Sequence, residues 1–179
     1  MKKTFYLEVA SAGNVSLTDL ALLTVDVVKK GASVGFIHSF EIRDVIFFWE
    51  KVMISVSEGK TILVIAKDSE TQNVIGTVQL RMDMPDNQPH RGDIAKMQVH
   101  SDWRRQGIGT ALLKHIEELA LEKGKTLLVL DAVTNGPAYE LYKRCGWTKV
   151  GDIPDYALYP DGKSYCSTTY FYKKLKDIS

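Results

Sequence analysis

The chain has 179 residues, 45% of them hydrophobic and 25% charged, with a formal net charge of +1. That length suits one domain, residues 1–179, with a full-sized core, and the near-neutral balance without a basic run offers no footprint for nucleic acid. No uninterrupted apolar segment approaches the ~20 residues of a membrane span, and Glu8 breaks the short apolar run behind Lys2 and Lys3, so neither a membrane helix nor a secretory signal is expected.

Phe5–Val9 alternates as a first strand. Ser16 or Thr18 then caps a helix whose Leu20, Leu23, Val27 and Val28 recur at helical spacing, with Gly31 as its stop. The short segment Gly31–Phe36 suggests backbone lying close to something. A second helix is predicted from Ser39 to Ser57, with Phe40, Val45, Phe48, Trp49, Val52 and Val56 on its apolar face. Thr61–Lys67 and Val74–Met82 read as two hairpin strands, and Asp83–Gly92 as an exposed loop. Asp93–Val99 is a fourth strand, and a helix starting near Thr110 runs to Gly124. Thr126–Ala132 is a fifth strand whose run Leu127-Leu128-Val129-Leu130 is fully apolar, so it is expected to be central. Pro137–Arg144 is a short helix, Trp147–Gly151 a sixth strand, Tyr156–Lys163 a loop and Tyr165–Leu175 a last strand. This order implies an α/β architecture, a mixed sheet with helices on both faces.

The stretch from Gln98 to Thr110 joins a strand to a helix through a polar turn and two glycines. A helix start has unpartnered N–H groups and partial positive charge, glycines let a phosphate approach, and arginines add charge. The stretch therefore reads as a seat for a diphosphate. It lacks the Gly-Lys-Ser/Thr of a P-loop and the third glycine of the dinucleotide fingerprint. The two cysteines, Cys145 and Cys166, form no C-x-x-C pair, and the four histidines are scattered, so no metal set is expected and a reduced, cytoplasmic setting is the simple reading.

Arg104, Gly107 and Gly109 fit the Arg/Gln-x-x-Gly-x-Gly/Ala motif, and the chain resembles the GNAT superfamily of acyl-CoA N-acyltransferases over nearly its whole length. Asn135 to Trp147 looks like that family's N-x-x-A-x-x-L-Y-x-x-x-G-F block, with Trp147 in place of Phe. The resemblance implies a mostly antiparallel mixed sheet whose fourth and fifth strands splay apart, with acetyl-CoA as co-substrate in the gap. Backbone groups of Met97, Gln98 and Val99 would hold its pantetheine arm, with Val99 N–H as the oxyanion donor. N–H groups of Gln106, Gly107, Ile108, Gly109 and Thr110 would hold the diphosphate, with charge from Arg104 and Arg105. Arg105 reads equally as a solvated surface charge. Asn135 would contact pantetheine, and Tyr142 would give a proton to the leaving sulfur, with Tyr139 as a weaker competitor. A narrower likeness, in Gly31–Phe36, Trp49, Val150-Gly151 and Pro160-Asp161-Gly162, is to the tabtoxin resistance acetyltransferase branch, an antibiotic-resistance type. Asn135 and the loop Asp83–Gly92 depart from it.

An ammonium has no lone pair, so the acceptor amine must lose a proton before it attacks, and a base or a carboxylate-lined pocket must help. Asp131, ending an apolar strand, and Asp93, beginning the neighbouring one, are the candidates. Asp131 could otherwise cap the next turn, and Asp93 could be a loop-end residue. Alternation does not decide whether they share a face. Ser33, Phe36, Trp49 and the loop Tyr156–Lys163 are candidates for the substrate wall, although Trp49 also fits a core position. The expected reaction is direct transfer of acetyl to a primary amine of a small molecule. Protein or peptide acetylation and non-catalytic CoA sensing are the alternatives. Dimers are frequent in the family, so a homodimer is expected.

Overall fold

The computed structural model describes residues 4–176; Lys2 and Lys3 lie outside them. Along the chain come β1 (Phe5–Val9), α1 (Leu17–Lys29), α2 (Ile42–Ser57), β2 (Thr61–Asp68), β3 (Val74–Arg81), β4 (Arg91–Val99), α3 (Ile108–Glu122), β5 (Leu127–Val133), α4 (Pro137–Arg144), β6 (Thr148–Leu158) and β7 (Tyr165–Lys174). The element order is the one expected. The boundaries move where local chemistry overrides the apolar pattern. α2 starts at Ile42 rather than Ser39, because Glu41 and Asp44 form a capping box, with Glu41 N–H donating to Asp44 Oδ2 at 2.9 Å. α3 starts two residues early, at Ile108, because Gly107 with φ +84° turns the chain into it. β4 begins at Arg91, inside the expected loop. β6 runs on to Leu158 through an irregularity between Ile153 and Ala157, so Tyr156 is a strand residue.

The described strands form one sheet in the order β1-β2-β3-β4-β5-β7-β6. Every neighbouring pair is antiparallel except β4 and β5. β2 is buried on both faces: Ile62, Val64 and Ala66 join the core under α3 and α4, while Leu63 and Ile65 join the core under α1 and α2. Both cores are therefore lined by a single strand of unbroken apolar sequence.

Two features of β4 position everything that follows. It pairs with β5 only through Arg91–Leu127, Gly92–Leu128 and Asp93–Val129, so the parallel pair is open from Ile94 onward. Its ladder with β3 also slips between Thr77 and Gln79, where Lys96 takes φ +49°. Thr77 Oγ1 donates to the Lys96 carbonyl at 2.8 Å, replacing a ladder bond. The slip inverts the alternation. Ile94 faces the α3/α4 core before it, Met97 and Val99 face that core after it, and Gln98 turns to α1.

Gly92 closes the bonded end of the gap. A Cβ there would lie 2.6 Å from Leu80 Cδ1 and 3.4 Å from Leu128 Cδ2, both fully buried. Neither leucine has space to retreat. Gly92→Ala is expected to lower stability by about 1–3 kcal/mol in denaturant titration.

Candidate active site

The gap between β4 and β5 carries backbone donors on one wall. His100 N–H bonds to the Ile75 carbonyl at 2.8 Å. In an antiparallel ladder alternate residues point to alternate sides, so Gln98 and His100 face β3 and Val99 directs its N–H and carbonyl into the gap. Arg104 Nε donates to that carbonyl at 3.4 Å. Met97 lies between the slip and Val99 in the unpaired stretch. Gln98 corrects the sequence expectation: its backbone is turned to Thr77 and its side chain is buried beneath α1. There its Oε1 lies 3.0 Å from Thr24 Oγ1, which also accepts from Trp49 Nε1 at 3.0 Å. Trp49 is a second correction. It is 0% exposed in the α1/α2 core, so it supports β4 through Thr24 and forms no part of a substrate wall.

The turn after β4 is anchored from α1. Asp26 accepts from Ser101 N–H at 2.7 Å and from Ser101 Oγ at 2.8 Å, and Trp103 packs into the core. Arg105 at φ +60° and Gly107 at φ +84° then swing the chain into α3. The first helical bond runs from Ala111 N–H to the Gly107 carbonyl, so the N–H groups of Ile108, Gly109 and Thr110 precede it and face outward from the helix start. Arg104, Arg105 and Gln106 are exposed beside them, and Gln106 Nε2 donates to the Asp102 carbonyl at 3.2 Å. No atom lies within 4 Å of where a Gly107 Cβ would stand. This open, donor-rich, positive helix start fits a diphosphate. The second glycine has a packing role as well: a Gly109 Cβ would lie 2.8 Å from Leu141 Cδ2, so Gly109 lets α4 pack close. Asp26→Ala is expected to raise the acetyl-CoA Kd by about 10-fold in calorimetry and to lower stability by about 1.5–3 kcal/mol, because it frees the turn through two bonds to a charged acceptor.

The opposite end of the gap is carboxylate-lined. Asp93 pairs with Val129, and Asp131 lies two residues beyond Val129, so the two side chains share the α1/α2 face. The question left open by alternation is decided by this register. Asp93 is engaged by the Arg91 guanidinium. Asp131, rather than capping a turn, accepts from Thr168 Oγ1 at 2.9 Å. Tyr170 pairs with Asp131 across β7, and its hydroxyl lies 3.0 Å from that of Tyr156. That hydrogen bond, with burial and the charges of Asp131 and Asp93, pushes the Tyr170 phenol up to about 12.

Tyr142 on α4 is 4% exposed and packs against Trp147 and Phe171. Burial, then the charge of Asp131, hold its phenol well above its ordinary range. Tyr139, one turn earlier, also packs on Phe171 and lies beneath Lys143 and Lys149. Asp131 thus bears on Tyr142 of α4, Tyr170 of β7 and Lys96 of β4 at once. Asn135 sits exposed at φ +59° in the turn before α4. Across the face, the loop after α1 brings Ser33 Oγ to 4.0 Å from Cys166 Sγ and sets the Phe36 ring edge-on to Phe40 and Phe48. Lys96, Tyr170 and Asp26 were not singled out from the sequence. A lone lysine inside the apolar run of β4 was the available signal for the first.

Among the described residues no His/Cys/Asp/Glu group could hold a metal, and no helix is long and apolar enough to cross a membrane. An opened parallel strand pair, with phosphate donors at one end and carboxylates at the other, defines a cleft for an extended, diphosphate-bearing co-substrate that meets a second reactant. The profile of the acetyltransferase (GNAT) family matches residues 25–147, and the chain belongs to that family of acetyl-CoA-dependent acetyltransferases. It is 33% identical over 79 residues to N-alpha-acetyltransferase 30 of Xenopus laevis, a match covering 44% of this chain and 29% of the frog protein. The same protein of Homo sapiens matches at 33% over 79 residues, 22% of its length. Among solved structures, an acetyltransferase of Salmonella typhimurium with its cofactor acetyl-CoA superposes with TM-score 0.76 at 14% identity, covering 98% of this chain and 96% of that one. The ribosomal-protein-S5-alanine acetyltransferase of Vibrio fischeri superposes with TM-score 0.78 at 13% identity, covering 98% and 95%. At these identities the likeness is one of fold.

Proposed function

We propose that residues 1–179 act as one acetyltransferase domain that moves acetyl directly from acetyl-CoA to a primary amine of a small, amino-acid-like or antibiotic molecule. The observation that supports this reading most is that Asp93 and Asp131 share one face where the β4/β5 pair begins to open, with the charge of Asp131 bearing on Tyr142 and Tyr170. Acetyl-CoA supplies the acetyl group as a thioester. Arg104, Arg105 and the N–H groups from Gln106 to Thr110 hold its diphosphate, and Met97 and Asn135 flank its arm. Asp131, with Asp93 beside it, attracts the acceptor ammonium and takes its proton, directly or through water. Val99 N–H donates to the thioester oxygen as negative charge develops there. Tyr142, fully protonated at neutral pH, donates its hydrogen bond and then its proton to the departing sulfur and is reprotonated from solvent as the thiol leaves. Ser33 and Phe36 border the acceptor. The tabtoxin-branch likeness around Gly31–Phe36 supports an amino-acid-like acceptor, and two unpaired cysteines are compatible with a cytoplasmic setting.

A second reading, acetylation of a protein N-terminus, is favoured by the 79-residue match to the frog N-alpha-acetyltransferase. The deciding experiment incubates the protein with acetyl-CoA and a panel of amino acids, polyamines, aminoglycosides, β-lactam amino acids and N-terminal and lysine peptides, with mass-spectrometric detection. An acetyl gain on one class of small amine is the expected result. A gain on peptides alone would move the acceptor to the second reading. Tight acetyl-CoA binding without product on any class would leave a sensor.

A further inference from the structure

Lys96 is set apart by how the fold receives it. The ladder slip and its φ of +49° turn the side chain onto the α1/α2 face. There Nζ donates to the Val34 carbonyl at 2.6 Å and stands 4.9 Å from the centre of the Phe48 ring and 6.0 Å from that of Phe36. Gly35 has φ +90°, and a Cβ at that position would lie 3.2 Å from Nζ. The loop between α1 and α2 is therefore shaped, in backbone conformation and in space, around a lysine from β4. Burial, then the charge of Arg81, lower this lysine to about 8, against an opposing pull from Asp131. Among the described residues, the charged groups that face it are Arg81 on β3 and Asp131 on β5. The loop and α2 present only a carbonyl and two aromatic rings.

We propose that Lys96 is a positioning residue for the acceptor: its ammonium ties the loop 31–36 across the Asp93–Asp131 face and so makes the acceptor side a pocket for a small amine. The inference rests on the small-amine reading for its consequence, though the tie itself does not. A charged donor on a carbonyl in a desolvated site is a strong hydrogen bond, and the aromatic faces favour the cation. The ammonium is present below about pH 8 and is lost above it, so the tie is firm at neutral pH and weakens as pH rises through that value.

Amide hydrogen exchange over residues 31–38 of the full chain, corrected for intrinsic rate, reads the tie without any ligand. Wild type is expected to lose protection as pH rises past 8. Lys96→Met should lack that protection already at neutral pH and show no step, whereas Lys96→Arg, charged throughout, should keep protection and also show no step. With whichever amine the wild type acetylates, Lys96→Met is expected to raise the acceptor KM by about 10-fold while leaving kcat and the acetyl-CoA KM unchanged. Loop exchange unaltered by Lys96→Met would overturn the tie. A fall in kcat at constant acceptor KM would overturn the positioning role and place Lys96 in the chemistry. If wild type acetylates no small amine, the small-amine reading fails, while the exchange series still decides on the tie.

Discussion

Tyr142→Phe is expected to lower kcat by roughly 100-fold or more while leaving acetyl-CoA affinity and folding stability close to wild type. The substitution removes one oxygen from a ring that is 4% exposed and keeps its packing against Trp147 and Phe171. What is lost is the hydroxyl that the proposed mechanism uses to protonate sulfur. Burial and the Asp131 charge hold the phenol up, so its ionisation lies above the working range and the wild-type rate should show no alkaline fall from this group. Steady-state kinetics on both proteins, with calorimetric titration of acetyl-CoA, checks the separation. A tenfold loss of acetyl-CoA affinity with kcat retained would mean that the hydroxyl binds rather than donates. Tyr139→Phe is the control. Tyr139 lies beneath Lys143 and Lys149, and its loss should leave kcat near wild type.

The second large effect belongs to Asp131. Asp131→Asn keeps the side-chain shape and removes the charge that acts on three elements. The expected fall in kcat/KM for the amine is roughly 100-fold or more, since both ammonium attraction and proton removal depend on that charge. The neighbouring groups supply an independent readout. Asp131 raises Tyr170, so the mutant phenol should titrate below about 12, and it raises Lys96, so the mutant ammonium should titrate below about 8. Tyrosinate absorbance and NMR of labelled lysine follow these two shifts. Asp93→Asn should cost less, because the Arg91 guanidinium already engages that carboxylate. A larger loss at Asp93 than at Asp131 would exchange their roles.

One helix organises both halves of this site from beneath. Thr24 and Asp26 of α1 lie two residues apart. Thr24 meets Gln98, at the end of β4, and Asp26 meets Ser101, at the start of the phosphate turn. The acceptor-side loop begins where the same helix ends. The turn before α3 and the loop 31–36 are therefore both set by one helix, which under the proposed function would let a static cleft align two reactants.

The order of strands and helices was legible in the chain, because apolar spacing of two or 3.6 residues and the glycine and proline stops are local signals. Local signals also single out Arg104 and Gly107 before α3, and Asp93 and Asp131 in apolar strands, which the register then puts on one face. What stayed hidden depends on contacts far apart in sequence. Trp49 fits an apolar stripe whether it faces a core or a substrate, and only the Thr24–Gln98 bonds place it inside. The packing role of Gly109 shows only when Leu141 arrives from a helix 32 residues later. Most of all, a single slip in the β3–β4 ladder inverts the alternation of β4, sending Lys96 to the α1/α2 face and the Val99 N–H into the gap. Register is a property of two strands, fixed by pairing between them, and a period read along one strand does not contain it.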